Sequence, residues 1–580
     1  MINQVANLIL NNVPDKLRPA LRELKYRFGK NEDLRKDEAE AADLTAQWKE
    51  IVGRSILVPD KIDERKRTHI LFVTGYGLGT GVWTQQPILM MSLYQRGCRV
   101  SSLYCNNALP ACEFNPLGNH KPGAGIMNAG LSNDAKLAAC RRCTSNVKAV
   151  FSLLPIALYA YHQYTTDKDM QLAQKISTEV TFNEYRNFEY AGIKLGEEVF
   201  SSVLRATYRG TVEDTPINRF LVKRYLLSGV LISLILERAF LHLKPDRIIM
   251  PHGVYLTHGV ANKIANKLHI PVIVYPGFGG IRKNSIMLSH KQTYHRTLVY
   301  EDNSAWDTTE LTAEQRQKTL TYALSKQSGG VDIVNYHPNP IENEEKILST
   351  LRIDRSRALI ALYTNVIWDA QIYYDGNAFE NILEWMFLSI ERLGKNDKVW
   401  AVIRIHPAEV KGGLPTRQPF LQEIHKHFPI LPDNIRIIPP ESDLSSYTLA
   451  EQSQAVVIYG TKLGLELAIR GIPVVVCGET FCRGKGFTTD ITSKQQYIEF
   501  LKNIQNIKRL DKPTIERAIK YGHYLYYKRM IPFPYIKTDI DTNRKQVALS
   551  NLADLDAGKD PNLDAICSSI MDLTPPYACD

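Results

Sequence analysis

Ala455-Val-Val-Ile-Tyr-Gly-Thr-Lys-Leu-Gly-Leu-Glu466 runs from an apolar stretch directly into a glycine-bearing helix start. The apolar run is too short for a helix and too continuous for a half-exposed strand, so it predicts a strand buried on both faces in a parallel sheet. Outward from it the same unit recurs. Ala358-Leu-Ile-Ala-Leu-Tyr-Thr364, a helix near 377–393, Lys398-Val-Trp-Ala-Val-Ile-Arg-Ile-His406 and Asn434-Ile-Arg-Ile-Ile438 precede it, and Pro473-Val-Val-Val-Cys477 follows. Strand alternating with helix is the signature of an open parallel sheet with helices on its faces.

A second series fills the first half. His69-Ile-Leu-Phe-Val-Thr74 breaks into Gly75-Tyr-Gly-Leu-Gly-Thr-Gly81, with a helix over 86–95 after it. Asp246-Arg-Ile-Ile-Met-Pro-His-Gly253, a helix over 257–268 and Ile270-Pro-Val-Ile-Val-Tyr-Pro-Gly277 resume the pattern after a long helical block at 150–243. The expected fold class is therefore α/β, two Rossmann-like parallel-sheet domains in tandem facing a cleft, with a helical insertion in the first. The expected boundaries are a helical N-terminal segment at 1–64, the first Rossmann-like domain at 65–345 and the second at 350–510. A crossover helix at 511–540 and an acidic tail at 541–580 complete the division.

Length and composition agree. A chain of 580 residues exceeds what one core supports, and 44% hydrophobic with 23% charged residues is ordinary for a globular protein. The net charge of +10 suits anionic ligands or an acidic membrane surface and does not single out nucleic acid, which is not expected as a partner. The most apolar stretch, Tyr225 to Leu236, falls short of the roughly 20 residues that span a bilayer, so no transmembrane helix is expected. Met1 to Pro14 lacks the pattern of a secretory leader, which leaves the cytoplasm, up to the inner face of the membrane, as the expected compartment.

Ligands of open α/β sheets lie beyond the carboxyl ends of the strands. There the second half offers Arg404 and His406, two residues apart before Pro407, as a phosphate clamp, with an ion-paired arginine and a helix-capping histidine as the plainer reading. Gly460, Thr461, Lys462 and Gly464 offer exposed backbone N–H groups, a hydroxyl and a cation to a diphosphate. Glu466, one turn on, is within reach of ribose hydroxyls, or is an ordinary surface glutamate. Glu441, with Ser442 and Asp443, forms a third polar strand end that also reads as a helix cap.

Arg404-x-His-Pro, Pro439-Pro-Glu-Ser, Tyr459-Gly-Thr-Lys-x-Gly-x-Glu and Gly478-Glu-Thr-Phe-Cys-Arg-Gly-Lys-Gly-Phe-Thr-Thr-Asp490 together resemble the capsule polysaccharide biosynthesis proteins, which include bacterial 3-deoxy-manno-octulosonic acid transferases. The resemblance is clearest from Thr364 to Asp490. It implies a GT-B glycosyltransferase fold, a nucleotide-sugar donor on the second domain, and a glycan or glycolipid acceptor on the first. It also implies donor-phosphate contacts from His406 and from the loop Gly460 to Gly464. Where many relatives carry Ser-Ser in that loop, this chain has Gly460-Thr461. The function expected on this basis is a glycosyltransferase of capsule or other surface polysaccharide, without a catalytic metal. The alternatives are a CDP-alditol phosphotransferase of teichoic-acid type, which shares a similar Arg-x-His-Pro motif, and a non-catalytic glycan-binding or assembly protein on the same fold.

In the first half, Gly75, Gly77 and Gly79 are spaced wrongly for dinucleotide binding and no acid closes a strand near position 100, so they read as a flexible loop at the cleft. His252, at a strand end, is the candidate catalytic base or acceptor contact, with a hydrogen-bonded structural histidine as the alternative. Cys105, Cys112, Cys140 and Cys143 have the spacing of a structural zinc site; an iron–sulfur cluster and unrelated buried thiols are the other readings. Tyrosines interleaved with basic residues from Ile519 to Pro534 fit a helix packed back across the first domain, or else a peripheral membrane contact.

Overall fold

The computed structural model describes residues 39–55, 67–113, 133–276, 282–291, 293–328, 339–369, 376–411, 416–539 and 544–579. The expected N-terminal segment therefore lies outside the described residues except for 39–55, as does most of the Gly- and Asn-rich stretch after Cys112.

The first sheet contains β1 (His69–Gly75), β2 (Arg99–Tyr104), β3 (Ala157–Ala160), β4 (Arg247–Pro251), β5 (Val272–Tyr275) and β6 (Ser289–His290), in the order β3-β2-β1-β4-β5-β6. All pairs are parallel except β5 with β6. The second contains β7 (Ala358–Tyr363), β8 (Val399–Arg404), β9 (Ile435–Ile438), β10 (Ala455–Ile458), β11 (Val474–Val476) and β12 (Thr489–Asp490). Its order is β9-β8-β7-β10-β11-β12, parallel throughout. Both halves thus have the doubly wound order in which the winding direction reverses beside the first strand. The two-domain, GT-B-like fold is present.

Alternate residues of each central strand feed separate cores. Ile70 and Phe72 of β1 pack on one face, Leu71 and Val73 on the other. Ile360 and Leu362 of β7 are divided likewise from Leu359 and Ala361. This double burial is why the strands read as continuous apolar runs. Helices α1 (Gln85–Gln95), α2 (Asn133–Phe151), α3 (Leu195–Thr207) and α4 (Pro216–Leu243) belong to the first domain. By length and composition α4 could cross a membrane, but 67% of its apolar window is buried, with Leu226, Leu231, Ile232 and Leu236 in the core of the first domain, while Phe220 and Leu241 are exposed.

The second domain is covered by α5 (Ile382–Gly394), α6 (Leu463–Ile469) and α7 (Lys512–His523), the last leading into a π-helical turn at Tyr524–Arg529. The chain then returns to the first domain. Ile531–Pro532 pairs antiparallel with Ser285–Ile286, and α8 (Pro561–Met571) buries Leu563, Ile566, Cys567 and Ile570 against it. The acidic terminal segment is ordered by its own aspartates: Asp560 caps α8 and Asp564 pairs with Arg96, which follows α1.

Candidate functional site

Each domain has one crevice where strand order reverses, between β1 and β4 in the first and between β7 and β10 in the second. The residues leaving these strands meet. Tyr255, just past β4, donates its hydroxyl to Asp369, just past β7, at 3.2 Å, and Arg205 of α3 lies 3.5 Å from the same carboxylate. The Arg205 guanidinium stacks on Tyr255, 4.9 Å from its ring centre, and faces Trp368 at 5.7 Å. Sequence reasoning missed this bridge because its members are far apart in the chain.

On the second domain, His406 is fixed by its backbone and ring together. Its N–H donates to Thr364 Oγ1 at 2.9 Å, and the Ala408 N–H donates to Nδ1 at 3.1 Å. With Nδ1 accepting, the proton of the neutral ring sits on Nε2. Asn365 lies above Gly460: a Cβ on that glycine would stand 3.9 Å from Asn365 Oδ1, an oxygen that is buried without a hydrogen bond. Thr461 is half-buried, Lys462 and Glu441 exposed.

Arg404 is engaged with the loop after β9. Its guanidinium donates to the carbonyls of Pro439 and Ser442, both at 2.9 Å, and is 3% exposed. These bonds, with one from Nε to Ser446 Oγ at 3.3 Å, tie the guanidinium to the 439–446 loop. Alternation fails here because β8 ends at Arg404 and His406 already belongs to the turn. Glu466 is likewise engaged inside the protein, with Lys326 at 2.9 Å and with the hydroxyl of Tyr447. Gly464 serves packing: a Cβ there would sit 2.8 Å from Ile458 and 2.9 Å from Cys482.

On the first domain, Tyr76 of the glycine loop meets His252 Nε2 at 3.0 Å. Burial raises the Tyr76 phenol well above its ordinary range, so it stays protonated. His252 and Tyr255 have φ of 38° and 62°, values that cost a non-glycine residue about 1–3 kcal/mol each and cluster at functional sites. They lead into a π-helical turn, Tyr255–Gly259, where the sequence predicts a regular helix. Thr257 in that turn donates its N–H to Glu113 Oε1 at 2.6 Å and its hydroxyl to Glu113 Oε2. His258 is fully buried and its pKa lowered to about 4 by loss of solvation. Gly77 is required by close approach, since a Cβ would fall 2.2 Å from the Cys143 carbonyl oxygen, whereas Gly79 faces open space.

The structural zinc expectation is overturned: among the described residues no group of three or more His, Cys, Asp or Glu side chains could hold a metal ion. Cys105, Cys112, Cys140 and Cys143 do line one pocket, together with Tyr76 and Thr257. The Cys-x2-Cys pair lies one turn apart within α2 rather than on a metal-binding knuckle. Burial pushes Cys105 up to about 11 and Cys143 up to about 12, away from the thiolate a metal needs, and Cys143 Sγ accepts the Gly77 N–H at 2.9 Å.

No family model matches the chain, and no curated protein matches it. Among solved structures it is similar to the beta Kdo 2,4 transferase KpsC of Thermosulfurimonas dismutans, with 13% identity over 54% of this chain and 88% of that one, TM-score 0.34. It is also similar to a UDP-GlcNAc 2-epimerase from Neisseria meningitidis bound to UDP-GlcNAc, with 12% identity over 78% and 98%, TM-score 0.26. A putative UDP-N-acetylglucosamine 2-epimerase from Listeria monocytogenes gives 10% identity over 88% and 98%, TM-score 0.28. Identities and scores of this size assign no activity. The architecture rests on the strand orders themselves, two Rossmann-type sheets whose reversal points meet.

Proposed function

We propose that the protein is a glycosyltransferase of surface polysaccharide biosynthesis, taking a nucleotide-activated sugar on the second domain and a glycan or glycolipid acceptor on the first. The observation that supports this reading is His406, whose neutral ring carries its proton on Nε2 at the end of β8, where its N–H is tied to Thr364, the residue before Asn365. In the reaction an acceptor hydroxyl attacks the anomeric carbon, a new C–O bond forms, and the bond to the nucleotide phosphate oxygen breaks with its electron pair. His406 donates its Nε2–H to the phosphate and Lys462 offsets its charge as that charge develops, which is the kind of stabilisation that dominates such barriers. The hydroxyl proton passes to His252, whose neighbour Tyr76 orients the ring. Arg404 contributes by holding the loop that bears Glu441.

Calorimetric titration with CMP, CDP, UDP, GDP and dTDP tests the proposal. One of them is expected to bind, and His406→Ala should weaken it about tenfold while lowering turnover about 100-fold. Absence of binding by all five would favour a non-catalytic glycan-binding protein. Phosphorus in the product would instead identify transfer of an alditol phosphate.

A further inference from the structure

No sequence motif singles out Glu113, yet it stands directly behind the proposed acceptor centre. The geometry points to Glu113 as the positioning residue for His252, acting through Thr257 and the π-helical turn; this rests on the reading of His252 as the group that receives the acceptor proton.

Both carboxylate oxygens of Glu113 are engaged by one residue, Thr257, through its N–H and its hydroxyl. Glu113 is 9% exposed. Thr257 is the middle of the five-residue turn that places Tyr255 two positions before it and His258 one after. The His252 ring packs edge-on against these two, with centroids 5.9 Å and 5.0 Å away. Two of the rings that hold the imidazole thus belong to the segment Glu113 grips. That segment has something to resist, because His252 at φ 38° and Tyr255 at φ 62° both occupy the left-handed region. An unheld turn would relax toward regular helix and carry Tyr255 and His258 off the ring.

A carboxylate is a costly way to hold a threonine if shape alone were needed. Burial pushes the Glu113 carboxyl above its ordinary range, opposed by the two Thr257 hydrogen bonds and by Arg205, and Tyr76, Tyr161, Tyr225 and Glu198 all feel its charge. Tyr76 is the residue in contact with His252 Nε2. Glu113 therefore reaches His252 by two routes, through the turn on one side and through the field at Tyr76 on the other. Both bear on the imidazole, whose Nδ1 accepts the Val254 N–H at 3.4 Å while Nε2 meets Tyr76 at 3.0 Å.

The test uses NMR of ring-labelled histidine in the full chain, without substrate, so it is independent of whether any nucleotide binds. Glu113→Gln keeps the size and removes the charge. The His252 titration midpoint is expected to fall by about half a unit or more, with a changed ring tautomer signature. Thr257→Val, which keeps shape and loses the hydroxyl, should change the tautomer signature, and Thr257→Ser should restore it. Where transfer is measurable, Glu113→Gln should lower kcat at least tenfold and leave KM for the donor unchanged. An unaltered His252 midpoint and tautomer in Glu113→Gln overturns the proposal; should that variant not fold, an unaltered His252 signal in folded Thr257→Val does the same. Failure of nucleotide binding would sink the transferase reading alone.

Discussion

Arg404 and His406 stand two residues apart and do different work. Arg404 is itself buried, and its removal takes the donors from the part-buried carbonyls of Pro439 and Ser442 and empties the space its side chain fills. Arg404→Ala should therefore cost about 3 kcal/mol of stability, read from the denaturant midpoint. Lys462→Ala, at an exposed position, should change stability by less than about 0.5 kcal/mol and act on nucleotide affinity instead. A second residue-scale consequence concerns acid. His258 is held neutral in the fold, with its pKa lowered to about 4, whereas in the unfolded chain it takes a proton near pH 6.5. Below that pH the unfolded state binds more protons, so stability is fully present above about 6.5 and is lost as pH falls toward 4, by up to about 3 kcal/mol. His69, also lowered to about 4 by burial, adds loss of the same sign. Unfolding curves between about pH 7.5 and 4.5 check the slope, and His258→Gln should flatten it.

At the scale of elements, the strands are legible because parallel strands buried on both faces announce themselves as short apolar runs, as at Ala358 to Tyr363 and Ala455 to Ile458. The direction of single side chains is not. Strand alternation puts Arg404 and His406 on one side only if β8 continues past Arg404, where it stops, and the Cys140 and Cys143 spacing suggests a metal site although it falls inside α2. Glu113 and His252 lie far apart in sequence, and no local pattern links residues that only a sheet brings together. The apolar spacing of Leu563, Ile566, Cys567 and Ile570 is present in the sequence but masked by the surrounding aspartates, among which Asp560 is a cap. The glycine loop yields a paired prediction. Gly77→Ala pushes a methyl into the backbone of α2 and should cost about 2 kcal/mol or more, whereas Gly79→Ala meets open space and should be within about 0.5 kcal/mol of the parent in thermal unfolding.

At the scale of the whole molecule, the tyrosine-rich stretch that could have met a membrane is used inside. Tyr521, Tyr524 and Tyr526 are core residues of the second domain, and Arg529 pairs with Glu301 at 3.0 Å at 1% side-chain exposure. The segment beyond returns to cover the first sheet. Deleting 541–580 removes Leu563, Ile566, Cys567 and Ile570 from that core, and hydrogen exchange should then accelerate in β1 and α1 while β7 and β10 keep their protection.

That return path also sets an order of events during synthesis. Domains ordinarily complete themselves in the sequence in which they leave the ribosome. Here β7 to β12 and α7 form one uninterrupted stretch, so the second domain has all its parts while translation is still under way. The first domain, although made earlier, waits with part of its apolar surface uncovered until residues 531–571 emerge. Chains ending near residue 540 and released from the ribosome should accordingly carry a protease-resistant second domain and a first domain that is still cut and still bound by chaperones.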